Sequence, residues 1–218
     1  MKRNKIQIAI TIIILCTSCN LWAGQMPDIA RIAPAETVAL VQIQNFQQFR
    51  QQTEKTSLYK LYKDPAMAGF IEKFKAELKE QTKEMQNGII STVINENILP
   101  QGRTAFALVM DQKALDDKEP TALLLIEWGK NIEKIKEAIN KATKKALEND
   151  HDQKSEDYRG LSIKTIIAPE NKRLDYGFSS KFSYCFIDDT LVASEDIEIL
   201  KFAIAQRLHD VHRMIMVI

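Results

Sequence analysis

Cysteine is nearly missing from the body of this chain. Of its three cysteines, Cys16 and Cys19 fall in the N-terminal leader and only Cys185 lies beyond it. A lone thiol excludes an intramolecular disulfide, so a packed core must supply the stability. Glycine is sparse as well, at seven in 218 residues. None gather into a phosphate-cradling loop; Gly160 and Gly177 read as isolated turn residues. Charge of one sign is also lacking. The chain carries 30 basic and 29 acidic residues, and removal of residues 1–23 leaves 27 against 29. That balance excludes the electrostatic footprint of a nucleic-acid binder.

Catalytic and metal-binding signatures are equally thin. His209 and His212 stand three apart with Asp210 between them, a spacing that can place two ligands on one metal, but no third ligand is near. His151 sits in a polar run without a partner. Asp116-Asp117 and Asp188-Asp189 are paired carboxylates suited to acid/base work or calcium, and turn chemistry explains both. Cys185 alternates with Tyr184 and Phe186 in a strand-like run, where a thiol behaves as a small apolar residue. No base is nominated to activate it. The sequence therefore assigns no catalytic residue, metal ligand or cofactor.

What is present begins with a leader. Lys2, Arg3 and Lys5 precede the low-polarity run Ile6 to Leu15, and small and polar residues follow. This is the three-part pattern of a secretory signal over residues 1–23, with an apolar run too short to span a bilayer comfortably. Export to the periplasm or cell envelope is the expectation. Leu21-Trp22-Ala23 before Gly24 suits ordinary cleavage. A competing reading is lipidation of Cys19, because Cys16-Thr17-Ser18-Cys19 resembles a lipobox, although Leu15 lies one position too far upstream. A lipid there would attach the N-terminus to a membrane.

At 218 residues, with hydrophobic residues at 45% and charged residues at 27%, the chain suits one folded domain. VALVQIQ predicts a first strand, with Val38, Leu40 and Gln42 on one face. Two short helices follow around Phe46 and Ser57. From Pro65, Met67, Phe70, Ile71, Phe74 and Leu78 mark an amphipathic helix whose other face is charged. Ile89 to Ile94 suggests a further short helix. RTAFALVMD and TALLLIEW read as strands joined by the polar loop DQKALDDKEP. Ile132 to Ala146 reads as a helix capped by Asn131, and ENDHDQKSED, residues 148–157, as an exposed loop. YRGLSIKTIIA, FSYCFI and TLVAS complete the strands. Ser194 is the expected cap of a last helix whose apolar stripe is Ile197, Leu200, Ile204 and Leu208. VALVQIQNFQQF, LLLIEWGKNIEKI and TLVASEDIEIL share one grammar, from strand through polar cap to helix. The expected fold is α+β: a mainly antiparallel sheet with helices packed on it, built from degenerate strand-helix repeats. The domain is placed at 24–213, and residues 214–218 read as the start of a further strand or as a truncated tail.

Ala33-Pro34-Ala35-Glu36-Thr37, Tyr59 to Pro65, Gly102 to Ala107, Tyr158-Arg159-Gly160 and Phe186 to Ser194 together resemble a family of exported bacterial proteins. Its members, common in planctomycetes and related bacteria, carry a domain of unknown function that opens on a Pro-Ala-(Asp or Glu)-Thr strand. The resemblance spans Ala33 to Leu208 and implies export and a repeated α+β envelope domain. It brings no activity and no catalytic residue. Two function classes follow. One is a non-enzymatic exported binding or structural module, with an envelope protein as partner. The other is an envelope hydrolase or transferase whose catalytic part lies in a missing C-terminal region.

Overall fold

A computed structural model describes residues 32–81, 98–110, 120–169 and 181–215; side chains are described to residue 208 in the last span. Seven strands form one antiparallel sheet: β1 (Thr37–Ile43), β2 (Thr104–Val109), β3 (Thr121–Glu127), β4 (Asp152–Tyr158), β5 (Leu161–Ile167), β6 (Lys181–Ile187) and β7 (Thr190–Ser194). Their spatial order is β1-β2-β3-β7-β6-β5-β4. Five helices accompany the sheet among the described residues: α1 (Phe46–Glu54), α2 (Ser57–Lys63), α3 (Ala68–Gln81), α4 (Ile132–Leu147) and α5 (Ile197–Ile215). The α+β architecture expected from the strand-helix grammar is the one observed.

The sheet is two meanders, β1-β2-β3 and β4-β5-β6-β7, joined through α4 and seamed where β3 pairs with β7. Central strands need cover on both faces, and two helices supply it. On one face, Leu200, Ala203 and Ile204 of α5 close over Ala105, Leu123, Leu125, Ile163, Cys185 and Val192. On the other, Ile135 and Ile139 of α4 pack with Trp128, Ile166, Phe182, Tyr184 and Leu191. Burying each of these large side chains contributes about 1.5–3 kcal/mol, enough to hold the domain without a disulfide.

Five local expectations need correction. ENDHDQKSED is not a loop throughout, because Asp152–Tyr158 forms β4. An edge strand with little core contact has no reason to alternate, and charges along it discourage further pairing. Val38 does not share a buried face with Leu40; a bulge between Thr37 and Ala39 turns it outward, 63% exposed. Asn131 does not cap α4 with its side chain. It ends a 3-10 turn, Gly129–Asn131, and its Nδ2 donates to the Leu99 carbonyl at 2.9 Å. The cap of α5 is Asp196 rather than Ser194, since Asp196 Oδ1 accepts from the Glu198 N–H at 2.7 Å. Ser194 supports it, accepting from the Asp196 N–H at 3.2 Å and donating to the Ala122 carbonyl at 2.9 Å. Finally, α5 runs on past Leu208 and takes in Met214 and Ile215.

The Asp188-Asp189 hairpin turn follows expectation, whereas the turn at Arg159-Gly160 falls inside the expected strand YRGLSIKTIIA and joins it to the unforeseen β4. Asp188 adopts φ 53° in the β6–β7 turn, and Arg159 and Gly160 adopt φ 53° and 79° between β4 and β5.

Candidate functional site: a polar groove at one end of the sheet

The chain leaves β1 at Ile43 and β3 at Glu127, and enters β2 at Thr104, all at one end of the sheet. Here α1 departs. Asn45 caps it, its side chain accepting from the Gln48 N–H at 2.9 Å, and the Phe46 N–H donates to the Gly102 carbonyl at 3.0 Å. That bond sets α1 beside the strap of residues 99–101, and a groove of ≈ 410 Å³ opens between them. Gln47, Arg50, Gln51 and Glu54 line its helical wall at i, i+3, i+4 and i+7; Leu99, Pro100, Gln101 and Asn131 line the other, with Phe46 between.

The strap is fixed from behind. The Gln101 and Gly102 N–H groups both donate to the Glu127 carbonyl at 3.1 Å, and the Lys130 N–H donates to Gln101 Oε1 at 3.2 Å. Two glycines allow this approach. A Cβ at Gly102 would stand 2.5 Å from Glu127 Oε2 and 2.8 Å from its Cβ, and Gly129 holds φ 53° against the Gln101 side chain. Beneath the strap, Glu127 accepts from the Arg103 backbone N–H at 2.9 Å, from Nε at 2.9 Å and from Nη2 at 2.7 Å. Arg207 of α5 reaches the same carboxylate at 3.5 Å. Burial alone would raise the Glu127 pKa, but the hydrogen bonds and charge of Arg103, aided by Arg207, bring it below the ordinary value. The groove therefore rests on a charged clamp that is ionised at neutral pH.

The groove itself offers hydrogen bonds rather than reactive groups. Gln47, Gln51, Gln101 and Asn131 are carboxamides that donate and accept at once. Arg50 Nε and Glu54 Oε1 pair at 3.0 Å on the exposed helix, which leaves the lining nearly neutral. The nine described lining residues include no serine, cysteine, histidine or lysine. A second cleft of ≈ 150 Å³ lies under α4, lined by Lys136, Asn140, Ser162, Lys164 and Tyr184 among others. The Tyr184 hydroxyl beneath it is buried near Thr143 without a hydrogen bond of ordinary geometry; burial raises its pKa, and Thr143 opposes the shift.

Of the candidate residues singled out in the sequence, none lines the groove, and Cys185 alone borders the second cleft, with none of the others beside it. Cys19 and Asp116-Asp117 lie outside the described residues. Asp188 and Asp189 form the exposed β6–β7 turn. His151 places Nδ1 3.0 Å from the Asn149 carbonyl after α4, while His209 and His212 fall in the last turns of α5, where side chains are not described. Among the described residues no three His, Cys, Asp or Glu side chains gather as a metal site. Cys185 points into the α5-side core, and burial pushes its thiol up to about 12. The sequence nominates none of the groove residues as a site; Phe46 and Asn131 stand out there only as a helix start and a helix cap. Only the 3.6-residue recurrence of Gln47, Gln51 and Glu54 hinted at a polar helical face. No protein-family model, curated protein or solved structure matches the chain.

Proposed function

We propose that this chain is an exported protein of the bacterial envelope, a non-enzymatic binding or structural module whose ligand lies in the groove between α1 and the strap. The observation that carries the binding role is the chemistry of that groove. Carboxamides from three separate segments converge on a rigid floor, with a self-neutralised Arg50–Glu54 pair beside them. Such a lining suits an uncharged, extended ligand rich in hydroxyl or amide groups, because each carboxamide satisfies a donor and an acceptor together. The leader supports export, and the resemblance to exported proteins with a Pro-Ala-Glu-Thr opening strand agrees with it.

Two measurements test this reading. Fractionation of cells expressing the full chain should yield a shortened product outside the cytoplasm; an unprocessed cytoplasmic product overturns export. Titration of the isotope-labelled chain with neutral oligosaccharides and with uncharged peptides should shift amide resonances of residues 46–54, 99–101 and 131. Gln51→Ala should weaken that binding about tenfold through the loss of a hydrogen-bonding group. Shifts clustered elsewhere, or binding indifferent to Gln51, overturn the groove as the site.

A further inference from the structure

We propose that α2 and the start of α3 form a docking face for an anionic lipid surface. Eleven large apolar side chains are exposed among the described residues, and six of them, Phe49, Leu58, Leu61, Tyr62, Phe70 and Phe74, lie between α1 and α3. Neither α1, α2 nor the 3-10 turn Pro65–Met67 contains a buried residue. A concentration of uncovered apolar groups on a segment with so little internal burial marks an interaction surface.

The charge pattern selects the partner. Leu58, Leu61 and Tyr62 are 65%, 49% and 39% exposed and share one face of α2, at i, i+3 and i+4. Lys60 and Lys63 stand between and after them, and no acidic residue interrupts Ser57–Lys63. The Lys63 ammonium lies 5.7 Å from the ring centroids of both Tyr59 and Tyr62. Across the Asp64-capped turn, Phe70 and Phe74 present rings stacked at 6.4 Å, 63% and 51% exposed. A dry interface with a second protein copy would deplete lysine from the middle of the apolar set. At a bilayer surface the same arrangement is favourable: leucine and phenylalanine enter the acyl boundary, tyrosine rings sit at headgroup depth, and lysines extend to anionic phosphates. The face is distinct from the groove, which uses α1 residues Gln47, Arg50, Gln51 and Glu54.

The test is flotation of the purified chain with phosphatidylglycerol-containing vesicles and with vesicles of phosphatidylcholine alone, every variant carrying the identical N-terminus. Binding to the anionic vesicles is expected, weakening as salt is raised. The double variant Lys60→Gln, Lys63→Gln should lose about 25-fold, roughly fivefold for each lysine near a charged bilayer. Leu58→Asp with Phe70→Asp should abolish binding while the far-ultraviolet circular dichroism is unchanged, since both side chains are exposed. Absence of wild-type binding to anionic vesicles overturns the proposal. So does equal binding by the lysine variant. A self-associating wild type that becomes monomeric in the Leu58→Asp variant, without vesicle binding, assigns the face to a second copy instead and also overturns it.

Discussion

Replacing Glu127 with glutamine removes the charge that clamps the groove floor while keeping the side-chain volume. Three hydrogen bonds from Arg103 at 2.7–2.9 Å end on this carboxylate, and Arg207 approaches at 3.5 Å. The two arginine side chains are 18% and 17% exposed, so solvent compensates only partly for the lost counter-charge. Charge-assisted bonds are about twice as strong as neutral ones, and a glutamine keeps one accepting oxygen, so the net loss is about 2 kcal/mol. For a chain of this length that lowers Tm by about 4–8 °C. The dependence on pH has a definite sign. Because the folded pKa of Glu127 lies below its ordinary value of 4.5, its contribution is complete above that value and is lost as pH falls through the folded pKa. Urea unfolding of wild type and Glu127→Gln at a series of pH values should show a gap that is full at neutral pH and closes in acid. A gap under about 0.5 kcal/mol at pH 7, or one that persists unchanged at low pH, refutes the clamp.

Other outcomes follow from the same packing. Cys185→Ala should cost about 1 kcal/mol in unfolding free energy through lost core contacts, and the native thiol, buried and pushed up to about 12, should react with a disulfide reagent only once the chain unfolds. Gly102→Ala should cost about 1–3 kcal/mol, because the new methyl meets the clamped Glu127 side chain at 2.5 Å, and ligand-induced shifts at 99–101 should vanish with it.

Legibility in the sequence followed burial. Strands flanked by core on both faces, such as TALLLIE and TLVAS, wrote themselves as apolar runs, and α4 and α5 carried apolar stripes of helical period. β4 left no such trace because little of it touches the core. Caps were misassigned for a different reason: Asn131 and Ser194 both bond across the fold, to Leu99 and Ala122, and sequence-local reasoning has no access to such partners. The groove was illegible for that reason too. Gln47, Gln101 and Asn131 are ordinary polar residues in separate segments, and only the registers of β1 with β2 and β2 with β3 bring them to one end of the sheet.

On the β4 side of the seam, the edge strand is the polar one. β7, at the centre, is buried along its whole length, whereas the outermost β4 carries Asp152, Lys154, Glu156 and Asp157. The two edges are guarded differently: charge blunts β4, while β1 is apolar and is interrupted by its bulge at Thr37/Ala39. Lys201 links the charged edge back to the core helix, its Nζ 2.6 Å from Glu156 and 3.0 Å from Glu198. β1 itself carries no charged side chain. The half of the sheet with the less guarded edge is also the half from which α1, α2 and α3 project, with their exposed aromatics and the groove at their base. On the proposed reading, both binding surfaces belong to that half, the groove with its 99–101 strap and the lipid-facing helices within residues 46–81.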